Sequence, residues 1–267
     1  FGSIALGGLF SRREKGLRGS YSAHAGFGPF ARKLADQLAE PPALGSRVVA
    51  VARDGDRFRV DVTSVSGDVA LSASRVVVAT PAPEAAAILR GVDAEVAVAL
   101  EQLRYAPIVT VPLGVAQRDL SEQVRGFGFL VPREEKRALL GCLFMSQLFP
   151  DRAPEGCELL HCMLGGVRWP EAMSLADDTL VERAVADVEE AVGLRGTPES
   201  LGVGRWERAI PQPGREHPER IRWVQQRLAE DAPGLALAGA YVAGVSVADA
   251  LASGLAAAGR VLERTGA

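Results

Sequence analysis

Apolar positions along the chain follow two periods, and the change from one to the other marks out the elements. Residues 47–53, Arg-Val-Val-Ala-Val-Ala-Arg, and the alternating residues 58–63 flank a turn at Asp54, Gly55 and Asp56, which predicts a β-hairpin. A third strand is expected over 75–79. Pro81 and Pro83 stop it, because proline donates nothing to a ladder, and they open a helix running to Leu89. Further on, the pattern predicts a helix over 94–103 and strands over 108–116, 128–131, 138–145 and 158–164, read as a mostly antiparallel sheet. A charged amphipathic helix follows over 177–192, then a strand over 201–210 and a helix through Arg227. Near the start, Phe27, Phe30, Leu34 and Leu38 fall on one helical face, with Pro29 in its first turn.

The last segment has a different texture. A short apolar run, Leu235 to Ala238, stops at Gly239; a second glycine follows at Gly244, and a small-residue helical pattern occupies 247–262. This reads as strand, glycine-rich crossing and helix. Glycine lets a backbone come close to a ligand, and the free N–H groups of a helix start can face an anion or an electron-rich ring edge. Ala250, Gly254, Ala257 and Ala258 leave one helix face nearly bare, suited to lying tight against a sheet or a bound cofactor. The same pattern also occurs in α/β proteins that bind nothing there.

Composition narrows the field. A chain of 267 residues can bury a proper core as one large domain or two smaller ones, and 48% hydrophobic with 24% charged residues argues against disorder. The formal charge of −3, with no basic stripe, disfavours nucleic acid as a partner. Cys142, Cys157 and Cys162 form no CxxC and pair with no histidine at finger-like spacing, so they read as half-buried strand thiols in a reducing compartment, with no metal site. His24, His161 and His217 form no catalytic constellation. No stretch is long and apolar enough to span a membrane. Phe1 to Phe10 lacks an initiator Met and a basic flank, so it reads as a cut rather than a signal peptide.

Several separate stretches resemble one family. Gly126-Phe-Gly-Phe-Leu-Val-Pro132, Leu140-Gly-Cys-Leu-Phe144, Phe149-Pro-Asp-Arg-Ala-Pro154 and the pair Gly165-Gly166 occur in that order. With them go Leu17-Arg-Gly-Ser-Tyr-Ser22, Trp206, Ala209-Ile-Pro-Gln212, His217 and the glycine-rich C-terminal stretch. Together they are similar to the FAD-dependent protoporphyrinogen/coproporphyrinogen oxidases of haem biosynthesis, within the amine-oxidase-like flavoproteins. Pro213 departs from that pattern, which commonly has an aromatic after Pro-Gln.

The resemblance implies an α/β fold, a partial FAD-linked two-domain flavoprotein with a discontinuous FAD-binding domain and an inserted antiparallel-sheet plus helix substrate domain. Residues 1–15 would be a remnant of a preceding helical domain or linker, 16–83 and 233–267 the FAD-binding parts, and 84–232 the substrate part. It places Val48 near the adenine, and Gly239, Ala240, Val245, Ser246 and Val247 along the ribityl chain and isoalloxazine edge. Leu130, Leu143 and Met163 would wall a flat apolar slot for the tetrapyrrole. From residue type alone, Val48 reads as an ordinary strand valine and the three wall residues as plain core hydrophobes.

The implied reaction is six-electron oxidation of a porphyrinogen, with O2 as acceptor and hydrogen peroxide as product. The cofactor would carry that chemistry, so no acid–base residue is named. The strand, GxGxxG turn and helix that hold the FAD pyrophosphate in this family do not occur in the sequence. The chain is therefore expected to be inactive as it stands. The resemblance also implies a cytoplasmic protein, with peripheral membrane contact and a homodimer left open. Two other readings remain: an amine or carotenoid oxidase of the wider group, and a non-catalytic binding module.

Overall fold

The computed structural model describes residues 22–23, 26–121 and 124–263. The expectations for 1–15, for most of the 17–22 motif and for His24 lie outside the described residues. A first helix, α1 (Phe27–Ala35), follows Gly26. The expected hairpin forms from β1 (Ser46–Asp54) and β2 (Arg57–Ser64), with Asp54 opposite Arg57 and Gly55 in the left-handed region the turn requires (φ +63°).

Two departures concern the next strands. A strand that the pattern did not reveal, β3 (Gly67–Ala73), pairs antiparallel with β2. Its apolar residues Val69 and Leu71 are more than half exposed, so no burial signature marked it. The strand expected over 75–79 is β4 (Val76–Val78), but it does not extend the hairpin. It pairs in parallel with β11 (Leu235–Leu237), and the Val76 N–H donates to the Gly234 carbonyl at 2.9 Å.

Helices α2 (Ala82–Leu89) and α3 (Ala94–Glu101) pack over Val51, Phe58, Val78, Leu235 and Leu237, joined by α6 (His217–Asp231) through Ile221, Val224 and Leu228. Asp93 fastens this group. Its Oδ1 accepts the N–H groups of Glu95 (2.8 Å) and Val96 (3.1 Å) as the cap of α3, and its Oδ2 accepts from Arg227 Nε of α6 at 2.6 Å. Burial acts to raise the Asp93 carboxyl, yet the hydrogen bond from Arg227, the two backbone donors and the cationic charge outweigh it and hold it below its ordinary value.

A larger antiparallel sheet makes the second core. It contains β5 (Tyr105–Ala116), β6 (Gly128–Leu130), β7 (Leu139–Phe144), β8 (Cys157–Gly165) and β10 (Gly204–Pro211), in the order β10-β5-β8-β7-β6, with the short β9 (Glu199–Ser200) also on β5. The strand expected over 201–210 thus begins later, at Gly204, as β10. A four-residue helix, α4 (Met145–Leu148), follows β7.

The inner face buries Val109, Val111, Leu113, Leu160, Cys162 and Leu164 against α5 (Asp177–Val192). That helix presents Leu180, Ala184, Val188 and Val192 at fourfold spacing, and Gly193 ends it with φ +67°. Cys142 and Cys162 face each other across β7 and β8 with sulfurs 3.8 Å apart, both fully buried, whereas only Cys157 is half-buried as the pattern suggested.

Leu160→Ala empties a fully buried site and is expected to cost about 2–5 kcal/mol, read from urea unfolding. Asp93→Ala should cost about 0.5–2 kcal/mol as a lost cap. Because the folded carboxyl lies below its ordinary value, its stabilisation is present above the unfolded carboxylate range and is lost as pH falls through the lowered value. A pH series of melting temperatures should therefore show a shallower acid limb in Asp93→Asn.

Candidate functional site

Alternation along β8 sends Glu158, Leu160, Cys162 and Leu164 inward and Leu159, His161 and Met163 to the other face. Residues directly opposite in an antiparallel ladder share a face, so the register gives the rows. Leu130 stands opposite Gly141, Gly141 opposite Met163, Met163 opposite Thr110, and Thr110 opposite Gly204. The neighbouring row runs Gly128, Leu143, His161, Pro112. Leu130, Leu143 and Met163, from three strands, therefore occupy one outward face. Leu143 and Met163 are half-buried, and Leu130 is 79% exposed.

Glycines keep the floor between them low. Leu130 and Met163 flank bare Gly141, two strand spacings or roughly 10 Å apart. A Cβ at Gly141 would meet the Phe129 carbonyl at 2.6 Å and Leu130 Cδ2 at 2.9 Å, so the Leu130 side chain leans over that glycine. At Gly128 a Cβ would meet the Cys142 carbonyl at 2.1 Å. The outer face thus carries Leu130, Leu143 and Met163 together with Thr110 and Pro112, and Gly141 lies buried beneath Leu130. His161 lies in the same face beside Leu143, a residue the sequence left without a role; burial pulls its imidazole below the ordinary value.

A second cluster gathers around the start of the last helix. After β11 the chain passes Gly239 (φ +131°), forms α7 (Ala240–Ala243), passes Gly244 (φ +152°) and enters α8 (Val247–Leu262). Ser246 caps α8, accepting the Asp249 N–H at 3.0 Å and donating its hydroxyl to the Asp249 carboxylate at 2.6 Å. A Cβ at Gly244 would come within 2.5 Å of that carboxylate. Buried Ser253 accepts the Gly239 N–H at 2.8 Å and donates to the Ala250 carbonyl at 2.7 Å, which locks the strand exit to the helix. Ser253, Ala257 and Val261 form the buried stripe of α8, while Val245 and Val247 remain 64% and 48% exposed at its start.

A cavity of about 510 Å³ is bounded by residues 240–245, Pro211, His217 and Ile221. His217 Nε2 donates to the Tyr241 carbonyl at 2.7 Å, and its Nδ1 is buried with no protein partner among the described residues. Two exposed valines at a helix start and two glycines in positive-φ backbone leave room for the edge of a planar heteroaromatic cofactor. Gly239, Ala240, Val245, Ser246 and Val247 are thus brought together. Val48 is not part of either group in its pairing; it lies on β1 opposite Val62, 37% exposed. β10 links the two regions, since Gly204 stands in the Met163 row and Pro211 lines the cavity, roughly 20 Å along the strand.

Burial is expected to keep His161 neutral at pH 7. A two-dimensional NMR titration of the imidazole should give a midpoint below that of free histidine; a midpoint at or above it would contradict the half-buried placement.

The chain is 27% identical over 213 residues to the coproporphyrinogen III oxidase of Bacillus subtilis (strain 168), covering 80% of this chain and 44% of that protein. To the chloroplastic protoporphyrinogen oxidase 1 of Arabidopsis thaliana it is 32% identical over 199 residues, covering 71% and 37%. The chain therefore spans less than half the length of these relatives. A crystal structure from Exiguobacterium sp. 255-15, provisionally assigned as a protoporphyrinogen oxidase, superposes with TM-score 0.74 at 23% identity, covering 87% of this chain and 50% of that one. Reduced UDP-galactopyranose mutase shares the fold at TM-score 0.62 and 16% identity, covering 82% and 46%. The family model described as flavin-containing amine oxidoreductase matches residues 6–262, and the chain belongs to that family.

Proposed function

We propose that this chain supplies the tetrapyrrole-binding sheet and the flavin-edge segment of an FAD-dependent porphyrinogen oxidase. The observation that carries this reading is the glycine-floored outer face on which Leu130, Leu143 and Met163 stand together. FAD would be held along its ring edge by Gly239, Ala240, Val245, Ser246 and Val247, and when bound it supplies the two-electron oxidation, with O2 as the proposed final acceptor. The chain's own task is placement. Leu143 and Met163 exclude water from one face of the macrocycle, Met163 being a compliant wall, and Leu130 closes over Gly141. Helix α8 begins at Val247, whose N–H and that of Ala248 have no acceptor within the helix, so they can support negative charge at the ring edge. Residues 16–83 and 233–267 are proposed as the FAD-binding parts and 84–232 as the insert, with Val48 toward the adenine.

The relatives named above carry porphyrinogen oxidation in their names, and the matches cover 80% and 71% of this chain. No glycine-rich pyrophosphate turn occurs in the sequence, so the chain by itself is expected to lose FAD on desalting.

Leu130→Asp provides the test. Leu130 is 79% exposed, so the change should shift stability by less than about 0.5 kcal/mol. Fluorescence titration with coproporphyrin III and protoporphyrin IX should nevertheless show affinity falling about tenfold or more. Unchanged porphyrin affinity, or no porphyrin binding by the unaltered chain, would overturn the assignment of the face.

A further inference from the structure

A cavity of about 340 Å³ opens where three segments meet: the turn between β6 and β7, the residues that follow β8, and one exposed position of α5. Five cations line it, namely Arg133, Lys136, Arg137, Arg168 and Arg183, with Trp169 among them. Among the described residues, carboxylates answer only one of the five. Arg137 is engaged by Glu190 through both terminal nitrogens and lies 3.8 Å from Asp187. Arg168 donates from both terminal nitrogens to the Val131 carbonyl, at 3.1 Å each, and Arg183 sits over the Trp169 ring at 5.0 Å. A carbonyl and an indole face hold guanidinium groups in position without cancelling their charge. Lys136 is the one non-glycine residue with positive φ among the described residues (+52°), at the end of the short helical turn over Arg133–Glu135.

The balance of charge identifies the ligand class. Five cations and no carboxylate line this one small cavity, in a chain whose formal net charge is −3; Asp187 and Glu190 engage Arg137 from outside the lining, and Glu134 and Glu135 share the turn of Arg133 without lining the cavity. A single carboxylate would leave most of that positive charge unmatched. A phosphate monoester or pyrophosphate brings two or three negative charges and several acceptor oxygens, and guanidinium forks match that geometry.

We propose that this cavity binds a phosphate-bearing anion, either a free phosphate ester or the headgroup of an anionic phospholipid. The assignment rests on the cavity alone and stands whether or not the sheet's outer face takes a tetrapyrrole.

Two probes separate the sources. Inorganic pyrophosphate is titrated calorimetrically at low salt, and co-sedimentation is measured with phosphatidylglycerol and with phosphatidylcholine vesicles. Each is repeated with Lys136→Asn combined with Arg183→Gln, and with the control Arg118→Gln, an exposed cation remote in sequence from the cavity (87% side-chain exposure). Asparagine tolerates the left-handed backbone at position 136, and both altered residues are exposed, so the melting temperature should hold. Pyrophosphate binding weakened about tenfold or more by the double change, and untouched by the control, identifies a free phosphate. Binding confined to phosphatidylglycerol vesicles with the same sensitivity identifies a headgroup. If neither probe binds, or if the control weakens binding as much as the double change, the proposal fails.

Discussion

The two-residue repeat of β8 is the constraint on which the sheet's outer face depends. Because side chains alternate strictly, burying Leu160, Cys162 and Leu164 against α5 forces His161 and Met163 to the opposite surface. Ladder pairing then carries that choice sideways into β5, β7 and β6. A slip of one residue would place Met163 in the core and Cys162 on the outer face, and every row would change with it. Core packing on one side and the arrangement of Leu130, Leu143 and Met163 on the other are therefore one decision.

Much of this was legible in the sequence, and the reasons differ by element. The β1–β2 hairpin was visible because a short Asp-Gly turn separates two runs of strand-forming residues. α5 was visible because its apolar residues recur at helical spacing. β3 was not, since Val69 and Leu71 face water and nothing in the pattern demanded a partner. The partner of β4 was hidden for another reason: parallel pairing with β11 joins residues far apart in sequence, and no local signal encodes it. The glycine floor needed the register, including the irregularity between Leu139 and Gly141, before Gly128 and Gly141 could be recognised as more than turn residues. The cation-lined cavity draws on three separate segments, so composition could only deny a basic stripe, which is a different matter from a basic pocket.

Around α8 the sequence suggested a backbone built for close approach, and the structure adds how it is kept in place. Ser253 holds the Gly239 amide, Ser246 and Asp249 hold each other, and the small-residue stripe lets the helix lie against Ala236 and Ala238. Polar locks on one side leave Val245 and Val247 free on the other. Rigidity and exposure coexist there because different side chains supply them.

The parallel pairing of β4 with β11 also governs the order in which the molecule can assemble. Val76 must wait for Leu235, about 160 residues later in the chain, and closing so long a loop costs entropy before any contact offsets it. The hairpin and the antiparallel sheet have nearer partners and can form while the rest is still being synthesised, at roughly 5–20 residues per second. β11, which leads into Gly239 and α8, is made after every strand of the antiparallel sheet. The turn through Gly239 and the start of α8 is consequently anchored only once the sheet strands exist, and a nascent chain stalled before β11 would carry the antiparallel sheet with β4 still unpaired.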